Sequence, residues 1–196
     1  DGSGKSTFAD ELTQRLARRG THVVRSTIDS FHQPREVRRR RGPTSPVGFY
    51  LDSHQLDRLR AELLEPFRAG PGNTVATAIF DEPTDSPVDD AHHTVAADDV
   101  LVFDGIFLQR PELQGFWDLT VFLDGAQRVQ MQRLELVLRD LPERSVDAVA
   151  HTLDWVAKID RYASGMRYYV DSVDPARRAD VLIDNNDLTR PRLLRP

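Results

Sequence analysis

Asp1-Gly2-Ser3-Gly4-Lys5-Ser6-Thr7 decides the reading of this chain, because it runs straight into a segment carrying Phe8, Leu12 and Leu16 on one helical face. The seven residues match the closing part of a phosphate-binding P-loop, G-x-x-x-x-G-K-[ST]. In such a loop, successive backbone N–H groups and the positive end of the helix dipole surround phosphate oxygens, so glycine is needed where the backbone comes close. Gly2, Ser3, Gly4, Lys5, Ser6 and Thr7 are therefore the expected nucleotide-binding residues. Lys5 would meet the outer phosphates as a point charge, and the Ser6 hydroxyl would hold Mg²⁺ between two phosphate groups. The motif's first glycine would fall two residues before Asp1 and the strand feeding the loop is missing, so an N-terminal truncation is expected.

Outward from the loop, a helix is expected from about Ser6 to Arg19, ended by Gly20. Thr21 to Ile28 then reads as a short strand that delivers Asp29 to its C-terminal end. Three later apolar runs follow the same grammar: Val100 to Phe103 ends in Asp104, Leu119 to Leu123 in Asp124, and Ala179 to Ile183 in Asp184. Ligands of open parallel sheets bind outside the carboxyl ends of the strands, so these acids point toward one crevice. Between them, Ser53 to Phe67 has leucines at helical spacing, Gly70 to Asn73 reads as a turn, and Thr74 to Phe80 as a strand or hairpin arm. Gln127 to Leu138 reads as a further helix, and Leu141 to Ala163 is charged and helical in character.

The four acids have different expected roles. A carboxylate at Asp29, leaving its strand beside the P-loop, can accept the proton of a hydroxyl attacking the terminal phosphate. Asp104 fits an apolar strand ending in an acid that orients Mg²⁺. Asp124 and Asp184 read as turn or helix caps.

The chain has 196 residues, 39% of them hydrophobic and 29% charged, enough for one well-buried domain over 1–196. Its net charge of −5 argues against bulk attraction to nucleic acid or to an anionic membrane. The absence of cysteine excludes disulfide scaffolds and thiolate metal sites. No apolar run of about 18 residues is present to span a bilayer. The expected setting is cytoplasmic, with a small-molecule hydroxyl acceptor as partner and self-association into a homo-oligomer allowed. The arginine-rich run Arg35 to Arg41 reads as a solvated or phosphate-closing loop, since no aromatic platform for stacking bases is interleaved. His92-His93 lacks a third ligand at metal spacing.

Asp1 to Thr7, Asp29-Ser-Phe-His32, Val102-Phe-Asp-Gly-Ile-Phe107 and Arg161-Tyr-Ala-Ser-Gly-Met-Arg-Tyr-Tyr169 together resemble the uridine kinase family of P-loop nucleoside kinases, most of all its actinobacterial uridine-kinase-like branch. The resemblance runs through most of the chain and implies an α/β P-loop NTPase fold: a parallel sheet of about five strands flanked by helices, with a lid-like helical segment at about 139–168. It implies an ATP- and Mg²⁺-dependent phosphotransferase acting on an alcohol group, most simply a nucleoside such as uridine or cytidine. Phosphoribulokinase-like and pantothenate-kinase-like enzymes share the plan, and a non-catalytic nucleotide-dependent switch is the alternative from another class. By position, Asp29 matches the family's catalytic base. His32 stands at a substrate-contacting tyrosine, and Asp52 is similar to the acid that binds ribose hydroxyls. Arg161 and Arg167 match lid arginines that neutralise the transferring phosphate, with Lys5 completing the catalytic set. Asn185 to Arg190 corresponds to the loop near the adenine. Phe80-Asp-Glu-Pro-Thr-Asp85 departs from the family's usual aromatic-acid segment.

Overall fold

The computed structural model describes residues 3–125, 147–187 and 189–196, with 147–159 described by backbone alone. Asp1, Gly2, the expected helix Gln127 to Leu138 and the first part of the 139–168 segment lie outside the described residues. Two compact units are present, one comprising Lys5–Arg40 and Leu51–Asp118, the other the segments up to Gly4, Arg41–Tyr50 and Leu119–Pro196.

In the first of these, α1 (Lys5–Arg18) begins on the P-loop lysine and ends before Gly20, whose φ of 83° is left-handed. The Gly20 and Thr21 amides return to the Ala17 and Leu16 carbonyls, satisfying acceptors that the end of the helical ladder leaves open. β1 (His22–Thr27) leads into a single 3₁₀ turn, Ile28–Phe31, anchored by buried Ile28 and Phe31. Two small antiparallel pairs follow, β2 (Thr74–Ala76) with β5 (His92–Thr94) and β3 (Phe80–Asp81) with β4 (Ser86–Pro87). β6 (Asp99–Asp104) then returns parallel to β1, with His22 opposite Asp99 and Thr27 opposite Asp104. Parallel strands require a long crossover, which the intervening helices and hairpins supply. α1 packs on both strands.

The helix expected over Ser53 to Phe67 starts only at Leu56 and is split into Leu56–Leu59, a π turn at Arg60–Leu64, and Glu65–Ala69. Its N-terminal limit has a cause: the Ser53 carbonyl accepts from the Gln33 amide at 2.8 Å and the Gln55 amide donates to the Phe31 carbonyl at 2.7 Å, so that backbone is committed to a strand-like pairing. The π turn sets Leu64 one wide turn above Leu59, and Leu59, Leu63 and Leu64 are all buried.

The second unit holds β7 (Val121–Asp124) parallel to β8 (Val181–Asp184), with β9 (Arg192–Arg195) antiparallel on the far side of β8. Its long helix, Asp147–Val173, buries Tyr169 and Val173. A Cβ on Gly165 would stand 2.6 Å from Phe49 Cδ1, so glycine there permits the approach of the segment around Phe49. The described strands thus form an α/β arrangement with two parallel pairs. No helix among the described residues is long and apolar enough to cross a membrane.

Gly105, immediately after β6, touches the residue that precedes Asp29. A Cβ there would lie 2.1 Å from Ile28 Cγ2 and 2.6 Å from Ile28 Cβ, and its φ is 155°. Ile28 is fully buried and cannot yield. Gly105→Ala is therefore expected to destabilise the fold by about 2–3 kcal/mol through overpacking and backbone strain. That corresponds to a fall of about 5–10 °C in thermal midpoint for a chain of this size; an unchanged melting curve would disprove the contact.

Candidate active site

The P-loop turns on Gly4, whose φ of 83° is a conformation that glycine adopts without strain. Ser3, buried, offers its carbonyl to Asn185 Nδ2 at 2.6 Å, which ties the loop to the end of β8. One residue into α1, the Ser6 hydroxyl donates to Asp104 Oδ2 at 2.8 Å. The parallel register explains why this acid is within reach. Asp104 is the last residue of β6 and sits level with Thr27, the last of β1, so the chain leaving β1 carries Asp29 out at the same edge.

Lys5 lies in the field of both acids. Burial lowers its pKa from the ordinary 10.5, while the charges of Asp104 and Asp29 act in the opposite sense. Four expected residues, Lys5, Ser6, Asp29 and Asp104, thus converge within one unit. Thr7 follows in α1 and is exposed.

Arg25 was not singled out from the sequence. It shares a face of the β1–β6 pair with Asp104 and donates from Nη2 to Asp104 Oδ1 at 2.6 Å, while its Nε contacts Asp10 at 3.1 Å. Asp104 is therefore held from two sides, by a hydroxyl on one oxygen and a guanidinium on the other. The sequence signal was available only in combination: Arg25 opposes Val102, two residues before Asp104, and alternate residues of a strand share a face.

Asp29 projects from the 3₁₀ turn and is exposed. The turn is capped by Thr27, whose Oγ1 accepts from the Asp29 amide, and the Asp29 carboxylate makes no hydrogen bond among the described residues. His32 Nδ1 donates to the Asp29 carbonyl at 2.9 Å, because a carbonyl can only accept. His32 and His54 face each other as an isolated antiparallel bridge, and Gln55 Nε2 donates to the His32 carbonyl at 2.6 Å. Asp52 and His54 are buried at the other side of that bridge. Asp52 is paired with Arg40, whose exposed guanidinium is held charged by the carboxylate.

His54 is a second residue the sequence did not single out. Its ring packs 4.7 Å from the His32 ring and edge-on to Phe107 at 6.4 Å, centroid to centroid. Neither ring nitrogen has a hydrogen-bond partner among the described residues. Burial pushes its pKa well below the ordinary value, and the neighbouring His32, Arg110 and Arg38 act in the same direction, so the ring is neutral.

The remaining expectations fall elsewhere. Arg161 is buried on the long helix, its guanidinium 5.3 Å from the Phe49 ring and 5.9 Å from that of Tyr162, while Arg167 is exposed. Both belong to the unit that contains β7 to β9. Asp184 closes a turn by accepting from the Asn186 amide and side chain, as read from the sequence. In the arginine-rich run, Arg38 is engaged by Glu82 and Asp85 of the β3–β4 hairpin. That places the divergent Phe80 to Asp85 segment as the acidic partner of the basic run. His93 pairs with Asp99 at 2.6 Å.

Among proteins of known kind, the Phosphoribulokinase / Uridine kinase family profile matches residues 1–187. A curated uridine kinase from Leuconostoc citreum (strain KM20) is 25% identical over 186 residues, covering 93% of this chain and 82% of that protein. A solved structure described as a possible uridine kinase from Bacillus stearothermophilus superposes with a TM-score of 0.69 at 25% identity, covering 93% of this chain and 83% of that one. With the α/β fold and the P-loop already described, these findings make the protein a P-loop kinase, and the chain belongs to the phosphoribulokinase/uridine kinase family.

Proposed function

We propose that the protein transfers the γ-phosphoryl group of ATP to a hydroxyl of a nucleoside, uridine or cytidine. The observation that carries this reading is the convergence of Lys5, Ser6, Asp104 and Asp29 at one edge of the β1–β6 pair. The likeness to a uridine kinase over 93% of the chain supports the choice of acceptor.

In this reading the residues divide the work. Gly4 lets the backbone approach the phosphates, and Lys5 neutralises their outer oxygens. Ser6 and Asp104 suit Mg²⁺ by their chemistry: a hydroxyl and a carboxylate already 2.8 Å apart supply the hard oxygen donors that this ion prefers. Bound there, Mg²⁺ would offset charge on the phosphate oxygens. Arg25, bonded to the other oxygen of Asp104, holds that carboxylate in place. Asp29, exposed and with a carboxylate that makes no hydrogen bond among the described residues, takes the proton of the acceptor hydroxyl. From the family resemblance, Asp52 and His32 are assigned to the acceptor, and Arg161 and Arg167 to the transferring phosphate. The work is mainly positioning and charge stabilisation, as phosphoryl transfer demands.

ADP release is to be measured with Mg²⁺ and ATP against a panel of nucleosides, sugar phosphates and pantothenate-like alcohols. The expected result is release that depends on uridine or cytidine. Release with another alcohol alone would overturn the acceptor assignment, and slow release indifferent to any acceptor would identify a nucleotide switch instead.

A further inference from the structure

The acceptor side of the site contains a group that phosphoryl transfer does not use. His54 is buried, neutral and, among the described residues, without a hydrogen-bond partner at either nitrogen, a costly arrangement for a polar ring. One ligand atom each from Asp29, His32 and His54 lies within 4.8 Å of the others. We propose that Asp29, His32 and His54 form a binding site for a borderline divalent cation of the Zn²⁺ kind, separate from the oxygen-donor position at Ser6 and Asp104.

Three features support the site. First, His32 donates its Nδ1 proton to the Asp29 carbonyl at 2.9 Å, which leaves Nε2 bare as the ligand atom. A histidine that binds metal typically spends its other nitrogen in this way, on a carbonyl or carboxylate that fixes tautomer and ring direction. Second, the three residues sit on backbone that is already assembled. The His32–His54 bridge, the Gln33 to Ser53 and Gln55 to Phe31 amide bonds, and the Gln55 side chain hold the two segments together. Third, the donor set discriminates between metals. Two imidazoles and one carboxylate favour Zn²⁺ and its neighbours over Mg²⁺, which prefers oxygen ligands and retains waters.

Metal–ligand bonds of about 2.0–2.2 Å place the ligand atoms of a tetrahedral ion about 3.3 Å apart. The closure needed from the present spacing falls mainly on the exposed Asp29 side chain, which can rotate, with a small shift of the half-exposed His32 ring about its Nδ1 bond, while His54 stays fixed in the core. The positive groups that face His54 do not oppose binding at full strength: Arg38 is paired with Glu82 and Asp85, and Arg110 with Glu112. Three protein ligands leave a fourth position open. Occupancy commits the Asp29 carboxylate to the ion, so it would also stop the proton transfer assigned to Asp29; that consequence, though not the binding, rests on the proposed function.

Co²⁺ is the probe, added to the full chain under saturating Mg²⁺ and followed by visible absorption and calorimetry, with Zn²⁺ as displacing ion. One Co²⁺ per chain is expected, with the absorption of a four- or five-coordinate nitrogen and oxygen site, abolished by Zn²⁺. Losing a partner outside the ligand shell costs about 10–100-fold in metal affinity, so Asp29→Asn and His54→Phe should each weaken Co²⁺ by at least about 10-fold. Retained binding of a Mg²⁺·ATP analogue shows that each variant is folded. Should His54→Phe fail to fold, Asp29→Asn decides, since Asp29 is exposed. No visible band under saturating Mg²⁺, or a band indifferent to the substitutions, overturns the site; an indifferent band would place the ion at other histidines such as His92 and His93. In a parallel assay Zn²⁺ should inhibit turnover and a chelator restore it. Co²⁺ binding that depends on Asp29 and His54, without Zn²⁺ inhibition, would uphold the site and refute Asp29 as the base.

Discussion

Asp29→Asn is expected to leave Mg²⁺·ATP binding within about threefold of the parent while acceptor-dependent transfer falls by about 10²-fold or more. The split follows from local structure. The 3₁₀ turn is held by the Thr27 cap and by buried Ile28 and Phe31, and the Asp29 carboxylate contributes no hydrogen bond to it. Asparagine keeps the size of the side chain and removes only the proton acceptor, so the cost appears where the hydroxyl is deprotonated and not in ground-state binding. A titration with a fluorescent ATP analogue, paired with turnover, separates the readings. Unchanged turnover would dismiss Asp29 as the base. Weakened nucleotide affinity in Mg²⁺, restored when the metal is omitted, would make it a magnesium ligand and dissolve the division of labour with Asp104.

The parts of this site that the sequence made legible are those whose geometry is local. Gly4, Lys5 and Ser6 are fixed by a short loop running into a helix, and Asp104 by its place at the end of an apolar strand. Both were readable because each pattern carries its own structure. The Thr21 to Ile28 strand and its acid were also legible, although the strand stops at Thr27 and Asp29 rides on a 3₁₀ turn. Arg25 and His54 were opaque for a common reason. The role of Arg25 depends on parallel register with residues 77 to 79 positions away. The burial of His54 depends on a backbone bridge to His32 across the chain. Register of this sort is set by tertiary packing and leaves no periodic trace. The same bridge delayed the start of the helix expected at Ser53, and strand pairing split Thr74 to Phe80 between β2 and β3, which have different partners.

Lys5→Met is expected to abolish measurable transfer, a loss of about 10³-fold or more by analogy with removal of a preorganised charge from a developing anion. The fold should persist, because the substitution keeps an apolar stem and removes a cation whose burial disfavours its charge. The pH dependence provides an independent check. The folded pKa of Lys5 is lowered from the unfolded 10.5. Between these two values the unfolded chain holds more protons, so stability rises with pH across that window. The penalty is full below the folded value and absent above 10.5. Parent and Lys5→Met melting curves should therefore converge as pH rises toward 10.5, with the variant no less stable at neutral pH. Nucleotide reverses the sign: phosphate oxygens beside Lys5 raise its pKa again, so binding in the alkaline window takes up a proton and weakens as pH climbs. Calorimetric titrations in two buffers of different ionisation enthalpy measure that uptake directly. Proton uptake in the parent that vanishes in Lys5→Met would locate the phosphates on this lysine; equal uptake in both would place them elsewhere.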